Sequence, residues 1–171
     1  GEYVSYSNCG LPYYIGGSIN SRDKLFVQTV EGFINRYDID IKTRSEVEKV
    51  DPKAQTIEVL NLENGQRYFE SYDKLILSPG AAPLRPPVPG IDHPNIFTLR
   101  SVPDTDKIKK FVSINKVKRA IVVGGGFIGL EMAENLHELG IEVFVVEMAN
   151  QVMAPVDYSM ASIVHSHLRS K

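Results

Sequence analysis

Hydrophobic and polar residues alternate in the first half of the chain with the two-residue period of β-strands. The alternation runs through four segments: residues 39–42, 45–50, 56–62 and 66–72. Asn64-Gly65 separates the last two segments, and this dipeptide is a strong signal for a hairpin turn. The pattern therefore predicts an antiparallel meander. The apolar run KLIL in residues 74–80 predicts a short buried strand that ends in a turn.

The second half combines apolar runs with helical periodicity. Residues 118–123 and 141–147 predict two buried strands, and residues 127–140 between them predict an amphipathic helix that ends at Gly140. Three further helices are expected, and they begin near Thr29, near Asp104 and at Asp157. The proline-rich segment 80–94 lacks the N–H donors that a helix or central strand needs, which predicts a linker or surface crossover.

Composition and charge place the chain among globular proteins, because 43% of the residues are hydrophobic, 23% are charged and the formal net charge is −2. The basic residues are spread out, so no nucleic-acid partner is expected. No apolar stretch approaches the ~20 residues of a membrane span, so no membrane partner is expected. One cysteine and no secretory signal predict a cytoplasmic protein. The chain begins without methionine, which suggests a piece of a longer protein.

A glycine-rich turn lies between the first of these two strands and its helix. Gly124, Gly126 and Gly129 fit the spacing G-x-G-x-x-G, and the surrounding strand, helix and second strand make this otherwise weak motif informative. In a dinucleotide-binding turn the first glycine allows the tight bend. The second admits a pyrophosphate and the third lets the helix pack on the strand. Glu147 ends the second strand, where a carboxylate accepts hydrogen bonds from ribose hydroxyls and repels a 2′-phosphate. We therefore expect NAD binding with a preference for NADH.

The only cysteine, Cys9, stands in the stretch SYSNCGLPYYIGG, residues 5–17. It has no partner for an internal disulfide, so it is either a buried structural thiol or a nucleophile that pairs with a sulfur from another molecule. We expect Cys9 at the start of a short helical turn, with Gly10 giving room and Pro12 fitting the first turn. These local features leave both roles open. His165 and His167 are accompanied by no metal-ligand set and are expected to be surface residues.

Three segments together resemble one family. SYSNCGLPYYIGG resembles the active-site segment of coenzyme A-disulfide reductases, which are single-cysteine flavoproteins of the pyridine nucleotide-disulfide oxidoreductase superfamily. YDKLILSPGAAPLRPPVPGI, residues 72–91, resembles that superfamily's turn after a flavin-domain strand, with Pro79-Gly80 in place of the usual Thr-Gly. VVGGGFIGLEMAENL, residues 122–136, resembles its NAD-domain fingerprint.

The resemblance implies an enzyme that uses FAD and NAD(P)H, preferably NADH, to reduce coenzyme A disulfide or a related persulfide or polysulfide. In the implied cycle the reduced flavin opens a mixed disulfide between Cys9 and coenzyme A, and Cys9 then attacks the next disulfide. One protein cysteine suffices because coenzyme A supplies the second sulfur. The substrate is thus a small-molecule disulfide, and the resemblance further implies a homodimeric parent protein.

The resemblance also implies roles for other residues. Those expected at coenzyme A are Ser5, Asn8 and, as weaker candidates that are more often solvated surface, Arg22 and Arg36. Those expected at the cofactors are Pro79 and Gly80 for FAD, and Gly124, Gly126, Phe127, Ile128, Gly129 and Glu147 for NAD. Glu131 resembles a family residue that faces the flavin region, and it is equally an ordinary helix-surface glutamate.

The expected fold is α/β, with Rossmann-like FAD- and NAD(P)-binding domains of the disulfide-reductase type, both incomplete. Residues 1–100 are expected to be part of the FAD-binding domain, with the cysteine and the meander, and residues 101–171 part of the NAD(H)-binding domain. The family's FAD fingerprint and dimerisation domain are not found in the sequence, so the chain alone is expected to be inactive.

Two alternative functions remain open. One is an NADH oxidase or peroxidase of the same superfamily, in which Cys9 cycles through a sulfenic acid. The residues Leu-Pro-Tyr-Tyr after Cys9-Gly10 favour the coenzyme A reaction over this one. The other is a non-catalytic, truncated nucleotide-binding fragment in which Cys9 is idle.

Overall fold

The computed structural model describes residues 1–171 and contains seven β-strands and five α-helices. These elements form two compact units. Unit 1 consists of residues 1–6 and 26–82, and unit 2 consists of residues 7–25 and 83–171. The sequence predicted a boundary at residue 100 between the FAD-binding and NAD(H)-binding domains. The two compact units are a different division of the chain, so that boundary stays a prediction.

Unit 1 contains the antiparallel meander. Its strands, in the order β3-β4-β5, are β3 (Ser45–Asp51), β4 (Thr56–Asn61) and β5 (Arg67–Ser71). The hairpin between β4 and β5 turns at Gly65, whose φ of 73° is left-handed. This part of the prediction is confirmed. The expected strand at residues 39–42 is wrong, because this segment is irregular. Its alternation is too short to define a buried face, and Ile39 is exposed.

A short strand pair and a helix complete unit 1. Strands β1 (Ser5–Tyr6) and β2 (Phe26–Gln28) pair antiparallel. Helix α2 (Val30–Tyr37) begins after Thr29, whose Oγ1 accepts a hydrogen bond from the Gly32 N–H at 3.0 Å. The predicted start of this helix near Thr29 is confirmed.

The predicted buried strand at residues 74–80 is wrong. The segment is irregular, and Ile76 and Leu77 are 88% and 71% exposed. A strand needs a neighbour to pair its N–H and C=O groups, and none of the seven strands of the chain lies beside this segment. Apolar sequence alone therefore does not form the strand here. The proline-rich segment 80–94 contains neither helix nor strand, as predicted.

Unit 2 is built from helices and a pair of parallel strands. Its elements are α1 (Gly10–Gly16), a 3₁₀ turn (Arg22–Leu25), α3 (Val102–Asn115), β6 (Arg119–Val123), α4 (Phe127–Glu138), β7 (Glu142–Val146) and α5 (Tyr158–Arg169). Strands β6 and β7 pair parallel, in register from Arg119 with Glu142 to Val123 with Val146. The predicted strand-helix-strand unit and the α/β class are confirmed.

The two parallel strands differ from the prediction in their burial. Both were expected to be buried, but alternate residues of each strand are exposed, and Val123 is 83% exposed. Val122 and Val143 face the core instead. The expectation of full burial was wrong because helices of this chain cover only one face of the pair. Helix α4 ends near Gly140, whose φ is 78°, as predicted.

Helix α3 begins earlier than expected and α5 begins as expected. The α3 prediction started near Asp104, but the helix starts at Val102, because the Asp104 Oδ2 accepts hydrogen bonds from the Ser101 N–H at 3.0 Å and Oγ at 2.7 Å. Asp157 caps α5 by accepting a hydrogen bond from the Met160 N–H at 3.1 Å.

The core of unit 2 fixes α1. Its buried side chains come from three helices, α1, α3 and α4, and from the residue before β7: Ile15, Ile108, Met132, Leu136 and Ile141. Lys109 of α3 donates a hydrogen bond to the Tyr14 carbonyl of α1, and its Nζ lies 4.2 Å from the centre of the Tyr14 ring. Burial lowers the pKa of Lys109.

Helices α1 and α4 lie close together at Gly16. A Cβ atom at this position would lie 2.3 Å from the Asn135 Oδ1 and 2.8 Å from the Asn135 Cβ. Asn135 is 1% exposed, and its Nδ2 donates to the Glu131 carbonyl at 2.8 Å. Its Oδ1 has no hydrogen-bond partner in the chain. The side chain is therefore held in place by the helix on which it lies and by the backbone of α1.

We predict that Gly16→Ala destabilises the complete protein by about 1–3 kcal/mol, because the new methyl group forces α1 away from α4. Thermal or denaturant unfolding measures the loss. The matched control is Gly16→Ala in an Asn135→Gly background, where both the amide and the Cβ atom of residue 135 are gone and the Gly16 substitution should cost much less. Equal losses in the two backgrounds would contradict this account of the helix contact.

Candidate active site

Cys9 occupies the N-cap position of α1 and leaves its thiol free. The capping bond comes from Ser7 instead, whose Oγ accepts a hydrogen bond from the Gly10 N–H at 3.1 Å. The Leu11 N–H donates to the Asn8 carbonyl at 3.3 Å and closes the same turn. The prediction that Cys9 starts a helical turn is confirmed. Its thiol is exposed, so the alternative of a buried structural cysteine does not apply within this chain.

Gly10 and Pro12 shape this turn. A Cβ atom at Gly10 would lie 2.9 Å from the Ser7 Oγ and 3.1 Å from the Ile19 Cδ1. A side chain at this position would therefore have to displace the Ser7 and Ile19 side chains next to Cys9. Pro12 is buried in the first turn of α1, where its lack of an N–H is tolerated.

A cleft of about 280 Å³ opens beside Cys9 within unit 2. It is lined by residues of the cysteine turn, of the segment before α3 and of the start of α4: Asn8, Cys9, Leu11, Pro12, Leu99, Arg100, Phe127, Ile128 and Glu131. Most of these side chains are apolar, and Arg100 and Glu131 are the two charged ones. The structure thus brings the thiol next to residues from the glycine-rich motif, although the two are more than one hundred positions apart.

The glycine-rich turn has the geometry that its spacing predicts. Gly124 has a φ of 105°, and its N–H donates to the Val146 carbonyl at 2.8 Å. A Cβ atom at Gly129 would lie 2.0 Å from the Gly124 carbonyl oxygen, so α4 packs too closely for any side chain there. Gly126 has open space around its Cα. This arrangement fits a pyrophosphate at the N-terminus of α4.

Glu147 lies directly against this turn. Its Oε2 accepts a hydrogen bond from the Gly125 N–H at 2.6 Å, and its Oε1 accepts one from the Ala149 N–H at 2.8 Å. The backbone donors of Ala149 and Gly125 hold the pKa of Glu147 below its ordinary value of 4.5. The carboxylate is therefore charged at neutral pH and retains lone pairs for further donors.

The segment after Glu147 is also hydrogen-bonded to the glycine-rich turn. The sequence did not predict this contact. The Met153 N–H donates to the Gly125 carbonyl at 2.8 Å, and the Val152 N–H donates to the His165 Nε2 at 3.0 Å. His165 is half-buried and His167 is exposed, so both lie at the surface as predicted, although His165 also makes a structural hydrogen bond. A histidine that accepts a backbone hydrogen bond has no sequence signature, since its partner lies on another element.

The remaining predicted residues lie in different places. Arg22, in unit 2, is paired with Asp106, with Nε 2.9 and 3.1 Å from the two carboxylate oxygens. In unit 1, Arg36 lies over the Tyr37 ring at 5.3 Å, and Ser5 is half-buried in β1. Pro79 and Gly80 are exposed in an irregular segment of unit 1, where Gly80 has a φ of 75°. Their binding roles stay predictions.

The parallel strands, the glycine-rich turn and the thiol cleft fit a protein of the disulfide oxidoreductase class. The chain matches the pyridine nucleotide-disulphide oxidoreductase family along residues 1–171, and it belongs to that family. No helix in it is both long enough and apolar enough to span a bilayer.

Similar proteins carry more specific names. The chain is 39% identical over 168 residues to the coenzyme A disulfide reductase of Staphylococcus haemolyticus, a match that covers 98% of this chain and 38% of that protein. It is 56% identical, with a TM-score of 0.96, to the reduced CoADR-RHD protein of Bacillus anthracis, covering 99% of this chain and 31% of that one.

A second solved structure that is similar is the NAD-dependent persulfide reductase of A. fulgidus. It is 37% identical, with a TM-score of 0.92, and the match covers 99% of this chain and 32% of that one. The chain thus spans only about a third of the length of these relatives.

We predict that Glu147 contributes to the loss of the protein's stability at acidic pH. Because the folded-state pKa of Glu147 is lowered, its carboxylate stabilises the fold above pH 4.5, and this contribution is lost as the pH falls through the lowered value. Glu147→Gln should show a lower melting temperature at pH 7 and a shallower decline between pH 5 and pH 3. Glu142→Gln, on an exposed residue at the other end of β7, is the control. Identical pH profiles for wild type and Glu147→Gln would contradict the assignment.

Proposed function

We propose that the complete protein is an FAD-dependent NAD(P)H oxidoreductase that reduces coenzyme A disulfide, or a related persulfide or polysulfide, through a mixed disulfide between Cys9 and coenzyme A. The observation that carries this proposal is the thiol of Cys9, which is exposed, makes no capping hydrogen bond and lines a cleft. The chain has no second cysteine with which this thiol could pair. The names of the similar proteins support the same substrate class.

To form a disulfide, Cys9 requires a sulfur atom from another molecule. Its thiolate attacks one sulfur of coenzyme A disulfide, so that the Cys9–coenzyme A bond forms, the original S–S bond breaks and one coenzyme A thiolate leaves. An electron pair then opens the mixed disulfide, which releases the second coenzyme A thiolate and returns the Cys9 thiolate. The flavin, when bound, supplies that pair from the nicotinamide. Each disulfide consumes one NAD(P)H and one proton and yields two thiols.

The residues of the glycine-rich turn are proposed to hold NAD. The free N–H groups at the start of α4, including those of Phe127 and Ile128, would bind the pyrophosphate beside Gly126. Glu147 would accept hydrogen bonds from the ribose hydroxyls, and its charge would repel a 2′-phosphate. The proposal therefore includes a preference for NADH. Pro79 and Gly80 are proposed at FAD, where the exposed backbone of Gly80 admits close approach.

Coenzyme A is proposed to lie along the cysteine turn. Asn8 precedes Cys9 and lines the same cleft, so it is placed at the thiol arm, together with Ser5. Arg22 and Arg36 are the weaker candidates for the phosphates. For Arg22, a phosphate would compete with the Asp106 carboxylate that already accepts its hydrogen bonds. The homodimer and the cytoplasmic location remain predictions of the sequence.

Cys9→Ser in the complete, flavin-loaded protein is expected to lower coenzyme A release from coenzyme A disulfide by at least about 10³-fold, because serine cannot form the mixed disulfide. Thiol release and NADH consumption are measured together. Ser113→Ala, on an exposed serine of α3 outside the cleft, is the control and should turn over as the wild type does. The proposal fails if Cys9→Ser turns over normally, or if the wild type consumes NADH with peroxide and ignores the disulfide.

Two glycine variants separate cofactor binding from folding. Gly126→Ala adds a methyl group into open space, so the melting temperature should stay unchanged while the Kd for NADH rises about tenfold or more. Gly129→Ala places its methyl group against the Gly124 carbonyl, so both stability and NADH binding should fall. Calorimetry and thermal unfolding test this. Unchanged NADH binding by Gly126→Ala would contradict the proposed site.

A further inference from the structure

Arg100 makes a contact beside Cys9 that the sequence gives no reason to expect. It lies in the segment between the proline-rich linker and α3, 92 positions from Asn8 along the chain. Its Nη1 donates a hydrogen bond to the Asn8 Oδ1 at 3.2 Å, and both residues line the cleft next to the thiol. Both residues belong to unit 2.

The contact, between two exposed side chains, favours one orientation of the Asn8 amide. A guanidinium group has only donors, so it selects the oxygen of the amide and turns the Nδ2 group away from itself. The main chain of Asn8 is fixed as well, because its carbonyl accepts the Leu11 N–H at 3.3 Å. With both ends held, the Nδ2 group of Asn8 is left as a donor at the residue that precedes Cys9.

We infer that Arg100 is a positioning residue for the exchange reaction at Cys9, and that it acts by holding the Asn8 amide with its N–H donors available to the reacting sulfurs. The inference rests on the proposed function. Disulfide exchange leaves negative charge on an attacking and a leaving sulfur, and a fixed donor stabilises that charge more than a mobile one does. The cleft offers few other polar groups, since most of its lining residues are apolar.

The substrate class follows from the same geometry. A donor from Asn8 and the positive charge of Arg100 favour thiolates and anionic disulfides such as that of coenzyme A. Glu131, the only acidic residue of the lining, disfavours anions on its side of the cleft. We therefore place the leaving thiolate on the side of Asn8 and Arg100.

A double-mutant cycle tests the inference in the complete, flavin-loaded protein. Arg100→Gln and Asn8→Ala are each expected to lower kcat for coenzyme A disulfide by about tenfold, with a smaller change in KM. The double variant should be no slower than Asn8→Ala alone, because Arg100 acts through Asn8. Arg100→Lys keeps a donor and should recover part of the loss. Arg119→Gln, on an exposed arginine of β6, should behave as the wild type.

Two results would overturn the inference. One is a wild-type kcat for Arg100→Gln, and the other is a loss that is fully additive with Asn8→Ala. If Arg100→Gln does not fold, Arg100→Met, which removes the charge and every donor, replaces it in the same cycle with Asn8→Ala.

The rate of Cys9 alkylation by iodoacetamide at pH 7.5 gives a readout that needs no coenzyme A. Slower alkylation in Arg100→Gln than in the wild type is expected, and an unchanged rate contradicts the inference. A wild-type protein that does not act on coenzyme A disulfide at all would instead refute the proposed function, and the alkylation rates would still test Arg100.

Discussion

The close packing of α1 on α4 is the constraint on which the candidate site depends. Gly16 has no room for a side chain because Asn135 fills the space against its backbone, and Asn135 is itself buried. Lys109 holds the last turn of α1 to α3 by its hydrogen bond to the Tyr14 carbonyl. These contacts set the direction of a helix of only seven residues, and its first end carries Cys9. The position of the thiol is therefore a consequence of packing at the other end of the helix.

A single helix, α4, serves both parts of the site. Its first residues, Phe127 and Ile128, line the cleft beside Cys9, and its N-terminal N–H groups follow the glycine-rich turn. The same helix carries Asn135, which contacts α1. A rigid element that contacts both a dinucleotide turn and a thiol keeps these two groups at a fixed separation, which a redox reaction between bound cofactors and a cysteine requires.

Local signals in the sequence were sufficient for much of this architecture. The Asn64-Gly65 hairpin, the Thr29 and Asp157 caps and the G-x-G-x-x-G spacing each depend on a few neighbouring residues, and the structure contains all of them. The predictions were wrong where residues that are distant in sequence determine the local structure. Residues 74–80 have the composition of a strand but no strand to pair with, and β6 and β7 are covered on one face only.

In the candidate site, too, some residues have a local sequence signal and others do not. Cys9, Asn8 and the glycines could be identified from motifs, whereas Arg100 and His165 could not, because each acts on a residue that is distant in sequence. A hydrogen bond between positions 8 and 100 leaves no periodicity or spacing in the chain. Such contacts can be found only from the fold. Here the fold adds a charged partner to the turn that carries the candidate nucleophile.

The central claim is that Cys9 pairs with the sulfur of coenzyme A. The most direct measurement is the mass of the complete protein, and of its peptide containing residues 5–17, after incubation with coenzyme A disulfide and again after reduction. The account predicts that one coenzyme A is bound at Cys9 and that it is lost on reduction. A Cys9 that carries no coenzyme A, or that has gained oxygen atoms instead, would contradict the claim.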